Sequence, residues 1–452
     1  MIRNYKLVLA ALMAICMVQG CSKKQEGCKL DSECPNGQIC RNMKCEAAPA
    51  GEAQPAGEAA PAAENKADGA QDGNAAANPA EKPTVPVEIN LGYLQENKIA
   101  KLEDLGLDID YILDESLDLH GTQKLEIGPG VTIDMHSSSS AIRIYDDAAL
   151  MVKGTEAAPV IFKSTNSSAW SGIHFSSKNK DNTLNYLQIQ NADGEDGVVD
   201  LGYESRVGID HLTLDGSAGH GIHIGGDSRF TKFTNNTIKN CKDFPIILDS
   251  YASISDIGEG NVFENNNRQF IKITAYTFDD VKNTVIKKQP IPYYLSDGVN
   301  VDGDSGTLTI EAGTEFVFEH EKSMRIGESI QLKLEGTAEA PVIMRGLNDE
   351  AHFWQGFIYD STRPGTISGL VMSNTGYDEI PSMRIRSDAN VTIQNITFKA
   401  TDHRCMEIGG DAKVINKGGL SFEKCGKGNI FDERIEGEDE QRILKDLPVA
   451  AE

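Results

Sequence analysis

The sequence predicts an all-β chain: a parallel β-solenoid of two tandem copies forming one continuous rod, behind a disordered N-terminal tether. Three observations predict it. From about residue 108 the chain is a succession of short runs of Ile, Val, Leu, Phe and Thr, broken by Gly, Asn, Asp and Ser. Apolar residues at alternate positions recur every ~20–25 residues, as in Leu125/Ile127, Ile142/Ile144, Val160/Phe162 and Ile173/Phe175. Finally, whole strings return at an offset of 182 to 184 residues. Gly154-Thr155-Glu-Ala-Ala-Pro159-Val160-Ile161 reappears as Gly336-Thr337-Ala-Glu-Ala-Pro341-Val342-Ile343, Trp170-Ser-Gly172 as Trp354-Gln-Gly356, and Ile224-Gly225-Gly226-Asp227 as Ile408-Gly409-Gly410-Asp411.

The N-terminus reads as an address. Arg3 and Lys6 precede an apolar run, Leu7 to Val18, too short to span a bilayer comfortably and typical of a signal peptide. The run ends in Val18-Gln19-Gly20-Cys21, which resembles the lipobox of bacterial lipoproteins. That resemblance implies lipidation at Cys21, a mature chain beginning there, and partnership with a membrane through lipid. Ser22 after the cysteine implies the outer membrane of a Gram-negative cell envelope. Cys28, Cys34, Cys40 and Cys45 follow within eighteen residues and read as two disulfides with three pairings open. The stretch is similar to the short Cys-rich repeat of Dickkopf-type N-terminal regions. Residues 46–86, almost wholly Ala, Pro, Glu, Gly, Asn and Gln, cannot bury enough apolar surface to order themselves and are expected to be a flexible linker.

Leu91, Leu94, Ile99, Leu102 and Leu105 fall at helical spacing, so an amphipathic helix is expected over 91–105 to cap the solenoid's open edge. Copy one then runs to residue 292 and copy two from 293, with Glu433–Leu447 trailing or capping the far end. In a solenoid each coil pairs its strands with the next, ~4.8 Å away, while alternation turns every second side chain inward. Pro292-Tyr-Tyr-Leu295, the string Leu308-Thr-Ile310-Glu-Ala-Gly313, the Gly-Thr-x-x-x-Pro-Val-Ile repeat and Trp-x-Gly resemble right-handed parallel β-helix proteins of the pectin-lyase-like superfamily. The resemblance covers residues ~108–430 and implies a right-handed helix. At ~22 residues per coil, on the order of fifteen coils would form a rod of roughly 70 Å.

Charge narrows the function. Lys plus Arg number 43 and Asp plus Glu 68, a net charge of −25. Without Arg3 and Lys6 the mature chain would carry 41 − 68 = −27. Such a surface repels phosphate backbones, and no nucleic-acid partner is expected.

The best enzymatic clue is Gly219-His220-Gly221-Ile-His223, similar to the Gly-His-Gly motif of polygalacturonases. That family's acid and base carboxylates find only a faint echo in Asn191-Ala-Asp193. His220, Asp193 and Asp196 are the catalytic candidates carried forward. The family's Arg-Ile-Lys clamp lacks its arginine in Phe270-Ile271-Lys272, and the second copy loses both motif glycines around His403. A lyase would need Ca²⁺ on aspartates of adjacent coils plus an Arg base. Acidic turns at Asp146-Asp147, Asp193/Glu195/Asp196 and Asp302/Asp304 fit incidental Ca²⁺ better, and no cofactor is expected.

Trp170 and Trp354, required twice by one plan, read as packing, whereas Tyr293 and Tyr294 are expected to be exposed. Cys241 and Cys425 read as buried free thiols, although Cys405, one coil before Cys425, is within bridging range of it. The leading expectation is a non-catalytic envelope lipoprotein whose solenoid serves structural, adhesive or glycan-binding use. The alternative is a polysaccharide lyase or hydrolase on the same scaffold.

Overall fold

The computed structural model describes residues 38–41, 44–47 and 82–435, apart from residue 167. The chain divides into two compact units, 1–78 and 79–452. In the first, Gln38–Arg41 and Lys44–Ala47 pair as antiparallel strands, with Cys40 directly opposite Cys45. The expected signal peptide, Cys21, Cys28, Cys34, residues 48–81 of the expected linker and the C-terminal segment beyond 435 lie outside the described residues.

The second unit is a parallel β-solenoid of about 14 turns. Its coils carry up to three strands, one on each face. Ser116–Leu119 lies on the first face, Lys124–Ile127 on the second and Thr132–Met135 on the third. Ala141–Asp146 then returns to the first face, with Ile142 stacked on Leu117 and Ile144 on Leu119. Alternation does what the pattern requires: Leu117, Ile142, Ile173, Val199 and Ile222 form one buried column, and Leu119, Ile144, Phe175, Leu201 and Ile224 a second. Parallel pairing between coils satisfies the backbone of the interior strands, so the core needs no second sheet.

Corners are held by polar groups turned inward. Asn182 Oδ1 accepts from Leu150 N at 2.9 Å, Asn236 Oδ1 from Leu212 N at 2.9 Å, and Asn261 Oδ1 from Asn236 N at 3.1 Å. The recurring Trp-x-Gly also has a physical reason. Trp170 and Trp354 are fully buried, and their indole N–H groups donate to the carbonyls of Gln190 and Ser373 on the following coil. Gly172 and Gly356 then take positive φ, +85° and +131°, where a Cβ would lie 2.5 Å from Val198 O and 2.6 Å from Pro381 O. Only glycine lets the next coil come this close.

The two copies match strand for strand but are not stacked face on face. The second face's six-stranded sheet stops at Arg229–Thr234. The 3₁₀ segment Tyr251–Asp256 holds its place in the next coil, and a new sheet begins with Thr277–Phe278. The first face runs on without a break through Ile246–Leu248, Ile271–Ile273, Tyr293–Leu295 and Glu315–Phe318. By the repeat offset, Glu315–Phe318 corresponds to Thr132–Met135 of the third face. Copy two is therefore turned by one face about the solenoid axis.

Three expectations are corrected. The cap helix spans only Leu91–Glu96, with Asn90 Oδ1 accepting from Tyr93 N at 2.8 Å. It ends where Lys98 takes a positive φ of 53°, and Lys101–Leu102 joins the second face in register with Glu126 and Ile127. Leu102 thus covers the core from a strand rather than a helix. Tyr293 and Tyr294 are buried. Tyr293 faces the core, and Tyr294 packs outside the sheet with Phe244, Ile247, Val317 and Phe270. Cys425 is not a free thiol: it forms a disulfide with Cys405, Cα–Cα 5.5 Å. Cys241 is free and buried, and burial pushes its thiol up to about 12.

Candidate functional site

On the first face, triplets of the form apolar–x–apolar turn their outer residues into the core and the middle one away from it. Register stacks those middle residues into one outward column: Asp118, Arg143, His174, Asp200, His223, Ile247, Lys272 and Tyr294, in that order. With strands ~4.8 Å apart, neighbouring members are forced within interaction distance. The column therefore concentrates charge that the linear sequence scatters over about 180 residues.

At its centre, Asp200 sits between two imidazoles. Its Oδ1 is 2.8 Å from His223 Nδ1, and its Oδ2 is 3.5 Å from His174 Nδ1. The far nitrogen of each ring is also held: His223 Nε2 lies 2.9 Å from Asp249 Oδ2, and His174 Nε2 donates to Ser171 O at 2.7 Å. Asp249 in turn accepts from Thr274 Oγ1 at 2.8 Å. Burial alone would lower the His223 pKa, but the hydrogen bonds and charges of Asp200 and Asp249 push it up to about 10. Burial would likewise raise Asp200, yet the two imidazoles hold it below the usual carboxylate range. The hydrogen bond from His223 holds Asp249 down, and the bond that His174 donates to the Asp200 carboxylate raises His174.

Beside the column lies a cavity of about 310 Å³ lined by Arg143, Tyr145, Ser171, His174, Ser176, Glu195 and Asp196. A larger cleft of about 420 Å³ opens where the second-face sheet is interrupted, lined among others by Arg206, Arg229, Tyr251 and Asp280. The two most exposed aromatic residues described, Tyr203 at 69 % and Tyr276 at 52 %, directly precede Glu204 and Thr277 of that lining.

Of the candidates read from the sequence, Asp196 joins the column. Ligand atoms of Asp196, Asp200 and His223 all lie within 4.8 Å of one another. Asp193 is exposed in the same turn, its backbone N–H donating to Trp170 O at 2.7 Å. His220 faces elsewhere: its Nδ1 is 3.6 Å from Asp243 Oδ2 without a hydrogen bond, its ring packs 6.0 Å from Phe244, and burial lowers its pKa. Sequence reasoning missed His174, Asp200, His223 and Asp249. A signal was present, because each of the first three is the polar centre of an apolar triplet one coil from the next.

The second copy supplies an internal comparison. At the repeat offset, Arg143, His174, Asp200 and His223 correspond to Arg325, Ile358, Arg384 and Glu407. Arg384 Nε lies 2.9 Å from Glu407 Oε1, so the central ion pair is kept with its charges exchanged. Comparison with family models, curated proteins and solved structures returns no match to this chain.

Proposed function

We propose that the protein is a cell-envelope lipoprotein, anchored through Cys21 to an outer membrane, whose solenoid is a non-catalytic body that docks glycan or another cell-surface ligand. The observation that carries the non-catalytic part is the state of the column's carboxylates. Glycoside hydrolysis needs one carboxyl group held protonated and a partner ~5–9.5 Å away. Asp200 and Asp249 are instead held ionised by imidazoles that spend their own donors on them. Docking is supported by the two open clefts and the exposed Tyr203 and Tyr276, since flat aromatic faces suit sugar rings. The Cys405–Cys425 disulfide accords with an oxidising compartment. Kinship with the right-handed pectin-lyase-like helices belongs to the same reading.

One observation favours the lyase or hydrolase alternative: Arg143, Glu195 and Asp196 line a single cavity on adjacent coils. Incubating the full chain with polyuronates and neutral glycans, with and without Ca²⁺, separates the two. Saturable binding with no unsaturated product or new reducing end is expected. Turnover that disappears in Asp196→Asn or His220→Ala would overturn the proposal. Anchorage is read separately, by incorporation of a labelled fatty acid that Cys21→Ala must abolish.

A further inference from the structure

We infer that Asp196, Asp200 and His223 form a binding site for a divalent first-row transition ion, of the Zn²⁺ or Co²⁺ kind, opening toward the first-face cavity. Three side chains from two adjacent coils already converge there, with their ligand atoms within 4.8 Å of one another. The approach is built into the backbone. Asp196 stands in the turn Gly194-Glu195-Asp196-Gly197, and a Cβ on Gly197 would lie 3.0 Å from His223 N. Glycine at that position lets the turn press against the strand that carries His223.

The supporting groups point the same way. A ligating imidazole is oriented by a hydrogen bond from its other nitrogen, commonly to a carboxylate. Asp249 occupies that position on His223 Nε2, itself fixed by Thr274, which leaves Nδ1 directed at Asp200. His174 engages the second oxygen of Asp200 and so orients that carboxylate. Zinc–ligand distances of ~2.0–2.2 Å require that His223 release its Nδ1 proton to solvent as the ion binds, that the 2.8 Å Nδ1–Oδ1 contact open slightly, and that the exposed Asp196 swing inward.

The duplicate copy argues against a purely structural reading. There, one arginine and one glutamate suffice for the coil-to-coil pair, and Ile380 stands at the position of Asp196. Copy two also keeps a carboxylate, Glu433, at the position of Asp249, so what copy one adds is Asp196, beside a network in which Asp200 and Asp249 already meet the imidazoles of His174 and His223. The imidazoles account for Asp200 and Asp249, and a divalent ion accounts for Asp196. One nitrogen with two carboxylate oxygens suits Zn²⁺, Co²⁺ or Mn²⁺, whereas Ca²⁺ prefers six to eight oxygens.

The test is titration of the metal-free full chain with CoCl₂, followed by calorimetry and by the visible bands of the bound ion. One equivalent is expected, with bands that a hundredfold excess of Ca²⁺ leaves in place. His223→Gln should abolish it, and Asp249→Asn should weaken it about 10- to 100-fold. Asp196→Asn should weaken it at least about tenfold while leaving the melting temperature unchanged, because that side chain is exposed. His352→Gln, on a different surface, should bind as the parent does. Absence of uptake, uptake indifferent to Asp196→Asn and His223→Gln, or displacement by Ca²⁺ would each overturn the inference. The result stands apart from glycan docking, which the inference does not require.

Discussion

Trp170 and Trp354 show how much of this protein is decided by single side chains that appear twice. Each fills the corner entering the first strand after it, with its indole N–H satisfied by a carbonyl one coil on. Around them the copies differ: Phe318 stacks on Trp354 with centroids 4.1 Å apart, whereas Phe162 meets Trp170 edge-on at 6.2 Å. Trp354→Ala leaves a large void in a packed column, for which a loss of about 3–5 kcal/mol is expected, read as a shift in the urea midpoint. Repetition made these residues legible. Nothing comparable marked Tyr294, whose exposure was expected and whose burial depends on Phe244, Phe270 and Val317 from three other coils.

The strands were legible as elements because alternation and the repeat agree with each other, and that agreement also located the corner glycines. The cap helix was not, since Leu91, Leu94, Ile99, Leu102 and Leu105 satisfy helical spacing and yet serve two different elements. A helix stop at Asn97-Lys98 and pairing of Leu102 with Ile127 are tertiary choices that a linear pattern does not carry. The same limit hid the column, because which triplet centre meets which depends on coil lengths that vary from 22 to 31 residues between successive members. The disulfide illustrates divergence of one element between copies. Cys405 and Cys425 are bridged, while their equivalents Gly221 and Cys241 leave a lone buried thiol. The bridge closes a separation of 20 residues, so Cys425→Ala should cost about 3 kcal/mol by chain-entropy reasoning. In a solenoid, where each coil contacts mainly its neighbours, that loss should appear first in the last coils. Hydrogen exchange should quicken over 383–432 while the coils before residue 250 remain protected.

At the scale of the whole solenoid, the one-face turn between copies leaves the junction as its least regular part. One sheet stops, another begins, and the 3₁₀ segment between them carries a half-buried carboxylate, Asp256. Burial raises its pKa from 3.8 to about 6, against the opposing charges of Arg229, Arg206 and Lys287. Arg229 approaches only to 3.8 Å and is shared with Asp280, and Asp256 Oδ2 has no hydrogen-bond partner. A carboxyl group whose folded pKa lies above its unfolded one binds more protons when folded, so its contribution to stability is complete below about 4 and is lost as pH rises through about 6. Asp256→Asn removes that dependence while keeping shape. The stability of the variant minus that of the parent, taken from urea midpoints, should climb between pH 4 and 6 and be level on either side. A difference that falls across that window would mean the junction carboxylate is ionised and paired, and a flat one would mean that folding leaves its pKa unmoved; either overturns the expectation. In the falling case the two copies would be joined by an ion pair instead of a half-buried acid.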